Sequence, residues 1–124
     1  MLDGNCATKP IKDKFQLFDA YWTPKILGEV NNLHVKIFKA KGEFVWHSHK
    51  DEDEFFLVIK GQLKIKLRDR EITLNEGEFF IVPRGVEHLP HAETEAWVLL
   101  VEPKQVINTG NVISEKTVKN PEWI

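Results

Sequence analysis

At 124 residues the chain is long enough for one domain with a single core and too short for two. Acidic and basic residues nearly balance, 19 against 17, for a formal net charge of -2, which leaves no electrostatic drive toward nucleic acid or an anionic membrane. No apolar run approaches the roughly 20 residues needed to cross a bilayer, and the single cysteine, Cys6, excludes an intrachain disulfide and fits a reducing, cytoplasmic setting.

Residues 1–12, with Gly4, Asn5 and Pro10, predict a loose arm in which Cys6 is an exposed thiol without a role. Apolar residues at Ile11, Phe15 and Phe18 recur at helical spacing and predict one short helix over 11–18, with Pro24 ending whatever precedes it. The aromatic cluster Phe18, Tyr21 and Trp22 reads as a lid packed on the body of the domain. After the turn signal Asn31-Asn32, Leu33, Val35 and Ile37 alternate with His34, Lys36 and Phe38, the period of a strand. His34 falls at a polar position and is expected to be exposed, outside any ligand set.

The stretch 42–61, GEFVWHSHKDEDEFFLVIKG, carries the densest chemistry. On an extended chain His47 and His49 project to one face with Glu43 and Val45, while Phe44 and Trp46 take the other. Of the acidic cluster that follows, Glu52 and Glu54 share a parity and Asp51 and Asp53 face away. Glu54 borders the apolar run 55–59 and is the preferred ligand, with Glu52 as the alternative. A hairpin comes next: Leu63, Ile65 and Leu67 share a face, Lys64, Lys66 and Arg68 the other, and the pattern reverses at Asp69-Arg70 into Ile72 and Leu74. One face is buried and one is wet.

The stretch 77–88, GEFFIVPRGVEH, is an apolar strand that runs into Pro83, turns at Gly85 and delivers His88. Trp97, Leu99 and Val101 then alternate with Val98, Leu100 and Glu102 until Pro103 stops the strand. The remainder is turn-rich at 108–111, and Pro121 and Trp123 tether its end. The domain reading is an arm and short helix over 1–28, a β-barrel over 29–103 and a C-terminal segment over 104–124 packed on it. Many short strands with almost no helix define an all-β fold, most simply closed as a jelly roll.

Three histidines and a carboxylate suit one divalent transition-metal ion: Fe, Mn, Ni, Co or Zn. Four protein ligands, His47, His49, Glu54 and His88, leave two positions of an octahedral ion open to water, oxygen or a chelating substrate. General acid-base candidates are scarce. His91 has the opposite parity to His88, and Arg84 and Glu87 sit at a turn, so Arg84 and His91 are weak catalytic candidates only.

Gly42, His47, His49, Glu54 and Gly61, followed by Gly77, Pro83, Gly85 and His88, resemble the two motifs of the cupin superfamily. Four residues separate Gly42 from His47, one fewer than in the family pattern, and the family's terminal Asn falls on Ala92. The resemblance implies a double-stranded β-helix (jelly-roll) barrel with the metal inside on His47, His49, Glu54 and His88, and commonly a homodimer. The pattern is also similar to small single-domain cupins loosely grouped with mannose-6-phosphate isomerases. The expected partner is a small molecule, with no nucleic acid and no membrane. The expected activity is metal-dependent, dioxygenase-like oxidation first, isomerase or lyase chemistry next, and non-catalytic ligand binding or sensing as the alternative.

Overall fold

The computed structural model describes residues 8–124; the expected arm before residue 8, with Cys6, lies outside them. One helix, α1 (Ile11–Phe15), precedes β1 (Lys25–Val30), β2 (Leu33–Glu43), β3 (Glu54–Lys60), β4 (Leu63–Leu67), β5 (Glu71–Leu74), β6 (Phe79–Val82), β7 (His88–Pro103) and β8 (Glu122–Trp123). The helix is shorter than its apolar spacing predicts. Its N-cap is Pro10, with no side-chain cap, and five residues make too few internal bonds to propagate. Tertiary contacts then take over: Phe15 stacks on Trp97 at 4.8 Å, and the Phe18 carbonyl accepts a 2.7 Å bond from Lys39 Nζ.

The architecture is the expected all-β barrel, and β7 is its spine. Its first residues pair with β4 (Lys66↔Leu89, Lys64↔His91), and its last half pairs with β2 on one side and β3 on the other. One long strand shared by three partners must bend. Register shifts between Ala40 and Gly42 and between Val58 and Lys60 allow the bend, the usual work of a bulge. The strand at 25–30 was not legible, because Pro24 and Gly28 interrupt its pattern. It pairs with β2 around a register shift at Ile26/Gly28, so the sheet takes in residues from 25 onward. At the other end β8 pairs parallel with β1, which realises the tether expected of Trp123.

Alternation sorts the side chains. Phe38, Ala40, Phe56, Val58, Leu63, Ile65, Leu74, Val82, Ala96, Val98 and Leu100 fill the interior. Burying each of the larger ones fully contributes about 1.5–3 kcal/mol. The hairpin behaves as its sequence predicts: Lys64 and Lys66 stay on the wet face, paired with Glu93 and Glu43. Of the cluster Phe18, Tyr21 and Trp22 only Trp22 is buried, against Phe38 and Phe44, and it adopts φ 56°, unusual for a bulky residue. Tyr21 stays outside and donates to Glu95 at 2.8 Å. His34 departs from expectation. Its side chain is only 13% exposed, 3.3 Å from Glu29 and edge-on to Trp123, because β1 and the chain end cover that stretch.

Candidate metal centre

The HxH segment does not lie on a regular strand. His47 makes an isolated bridge to His88, with reciprocal backbone bonds of 3.1 and 2.9 Å. Gly85 N–H donates to the His49 carbonyl at 2.7 Å, so the turn read from Pro83 and Gly85 clamps the second histidine. Strand parity therefore fails just before the site. Phe44, expected to oppose His47, is buried with its ring edge-on to the His47 imidazole at 5.4 Å. Glu54 opens β3 and points inward, opposite Val82.

These elements bring His47, His49, Glu54 and His88 together, all buried, with one potential ligand atom from each lying within 4.8 Å of the others. His47 and His88 each donate Nδ1–H to a backbone carbonyl two residues earlier, Val45 at 2.8 Å and Val86 at 2.9 Å. That leaves Nε2 of each as the bare nitrogen, the arrangement found behind metal-bound imidazoles. Nε2 of His49 and of His88 both lie 3.1 Å from Glu54 Oε1. Three imidazoles and one carboxylate around one point fit a divalent first-row ion. Glu52, the alternative ligand, instead accepts a bond from Gln105 at 3.1 Å.

Electrostatics favour the ligand protonation states. Burial, and then the neighbouring His88, push the His47 imidazole down to about 4. Burial works to raise Glu54, but the imidazoles of His49 and His88 beside it outweigh that and hold the carboxyl well below its ordinary value. A pH dependence follows for the metal-free protein. The unfolded chain protonates this histidine near 6.5 and the folded one near 4, so stability is complete above the higher value and falls between the two. The expected loss from His47 is about 3 kcal/mol between pH 7 and pH 4. Urea denaturation across that window measures it, with His47→Phe expected to flatten the pH slope.

Beneath the cluster lie two residues that sequence reasoning missed. Lys36 Nζ donates to Glu102 Oε2 at 2.7 Å, with side chains 2% and 1% exposed. Burial, and then the charge of Glu54, hold the Glu102 carboxyl well above its ordinary value. Each reads from sequence as an ordinary polar position of a strand, and only the pairing of β2 with β7 brings the two buried charges together.

The weak candidates lie elsewhere. Arg84 is exposed and bonded to Asp53 through its backbone N–H at 2.8 Å and its guanidinium at 3.3 Å. His91 opposes Glu43 and Lys64 on the face away from His88. Exposed Glu87 pairs with Arg68. Ala92, where the cupin motif carries Asn, is packed in the apolar core and offers the cluster no polar group.

The C-terminal segment completes the site. Asn111 accepts from Ser48 N–H through its side chain at 2.9 Å and donates its own N–H to the Ser48 carbonyl at 3.1 Å. Gly110, at φ 55°, lies so close that a β-carbon there would stand 2.2 Å from the Ser48 carbonyl oxygen and 3.2 Å from the His47 ring. The turn signal at 108–111 was read from sequence, but its place across the HxH segment was not.

A jelly-roll barrel enclosing three histidines and a glutamate defines a class. The chain belongs to the cupin family: the cupin domain (Cupin_2) matches residues 34–102. It is similar to a cupin-2 domain protein of Shewanella frigidimarina, at 45% identity and a TM-score of 0.76 over 77% of this chain and 94% of that one. It is 35% identical over 80 residues to the uncharacterized YdbB of Bacillus subtilis, covering 64% of this chain and 71% of that protein. A 58-residue segment is 34% identical to a 3-hydroxyanthranilate 3,4-dioxygenase of Bacillus thuringiensis, covering 43% of this chain and only 32% of the enzyme.

Proposed function

We propose that the protein is a metal-dependent enzyme acting on a small molecule, with dioxygenase-like oxidation as its chemistry. The observation that carries this reading is the convergence of four buried ligand atoms beside an interior cavity that His47 and Glu54 themselves border. A divalent ion held there by four protein ligands would supply two open positions at which a substrate and oxygen meet. The chain's own residues do the rest. Val45 and Val86 carbonyls orient the His47 and His88 imidazoles, and Trp22, Phe38, Phe44, Phe56 and Leu100 exclude water. The partial likeness to a dioxygenase supports the same class. A sugar-phosphate isomerase would need a clamp of basic groups, and no Lys or Arg borders the cavity among the described residues.

Non-catalytic ligand binding is the second reading. It is favoured by the cavity lining, in which the described polar groups beyond the ligands reduce to Asn108. Oxygen uptake separates the two. Iron(II)-loaded protein, offered a panel of catechols, thiols and diketones, is expected to consume oxygen with at least one compound, and Glu54→Ala is expected to lower that rate by about 100-fold or more. Silence across the panel with fully loaded protein would contradict the enzymatic reading.

A further inference from the structure

The interior cavity is bordered by Trp22, Pro24, Phe38, Phe44, Phe56, Pro90 and Leu100, with His47, Glu54 and Asn108 as the polar members. Those three are already engaged. His47 and Glu54 belong to the ligand cluster, and Asn108 donates to the Lys116 carbonyl at 2.9 Å while its oxygen accepts from Val118 N–H at 2.8 Å. The buried cations Lys36 and Lys39 do not border the cavity and are engaged, by Glu102 and by the Phe18 carbonyl. A carboxylate, phosphate or ammonium brought in on a ligand would therefore sit against this lining with nothing to pair it.

The cavity as it stands has a volume of about 30 Å³, room for about two water molecules. Phe38, Phe56 and Leu100 are fixed in β2, β3 and β7, so they cannot withdraw without breaking the sheet. Trp22 differs. It comes from the segment before β1, between exposed Tyr21 and half-buried Thr23, and its indole makes one hydrogen bond, to the Lys41 carbonyl at 2.9 Å. Its backbone is held at φ 56° by the N–H bond to the Lys39 carbonyl at 2.8 Å, so the part free to swing aside is the indole.

We propose that this cavity takes a ligand with a small, uncharged, apolar body, anchored only through a metal-binding head group, and that Trp22 is the wall that yields to admit it. The inference rests on the metal reading above. The head group satisfies the ion's remaining charge; the body is recognised by apolar contact alone, so specificity is set by size and by the exclusion of peripheral charge.

The test uses cobalt(II)-loaded protein without oxygen and two probes that share a hydroxamate head and nearly the same length: 4-methylpentanohydroxamic acid and succinomonohydroxamic acid. They differ in an isopropyl against a carboxylate at the far end. Visible cobalt bands report binding and involve no turnover. The isopropyl probe is expected to bind at least about tenfold more tightly, because the carboxylate must be buried unpaired. Trp22→Leu is expected to tighten the isopropyl probe several-fold and to leave the preference intact. Equal or tighter binding of the carboxylate probe in either protein overturns the inference, as does the failure of both probes to move the bands in both proteins. Failure of the metal reading looks different: cobalt bands are then missing before any probe is added.

Discussion

His88→Ala is expected to leave a folded protein that no longer retains its metal. The side chain is fully buried, and its Nε2 points at Glu54 while Nδ1–H is fixed by Val86. The backbone bonds between His47 and His88 do not involve the ring, so the bridge that shapes the site survives the substitution. Perturbing a residue that merely supports a ligand already weakens metal binding by about 10–100-fold, and removing a ligand costs more. Metal content after dialysis, measured beside the melting temperature, separates loss of the ligand from loss of the fold. His91→Ala serves as the control, since His91 faces away from the cluster and its removal is expected to change neither measurement.

Gly110→Ala carries the largest expected effect on stability. Two costs add: a non-glycine residue at φ 55°, and a β-carbon driven to 2.2 Å from a backbone oxygen that belongs to Ser48. Together they amount to about 2–5 kcal/mol, because backbone cannot step aside as a flexible side chain does. Gly42→Ala isolates the first cost. Gly42 has φ 75° with nothing within 4 Å of the added carbon, so it is expected to lose only about 1–2 kcal/mol. Urea midpoints of the two variants give the difference directly. Equal losses would show that the 108–111 loop moves freely off the HxH segment. A larger loss at Gly110 accompanied by weaker metal retention ties that loop to the geometry of His47 and His49.

The barrel and its four-ligand cluster were legible because local pattern determines them. Parity put Glu52 and Glu54 on one face and the apolar run 55–59 favoured Glu54, alternation set His91 opposite His88, and the Pro83-Gly85 turn delivered His88. Parity succeeded in the hairpin and failed in β2, where His34 and Lys36 are covered, and between strands, where Phe44 lies beside His47 because residues 44–53 form no regular strand. What the sequence concealed depends on contacts between distant positions. Lys36 and Glu102 are 66 residues apart, and each reads as ordinary strand punctuation until β2 and β7 place them side by side. Trp22 was placed in a lid, but its entry into the cavity depends on a backbone conformation that periodicity does not signal. Gly110 marks a turn, yet only the fold puts that turn against Ser48. Local pattern thus located the ligands, and tertiary packing supplied the groups that orient, cover and select.

Elemental analysis of the wild-type protein tests the metal centre most directly. Purified protein, or protein reconstituted with a divalent first-row metal and freed of excess, is expected to hold about one ion per chain, lost on His47→Ala or His88→Ala. Folded wild-type protein that holds no transition metal even after reconstitution would contradict the account.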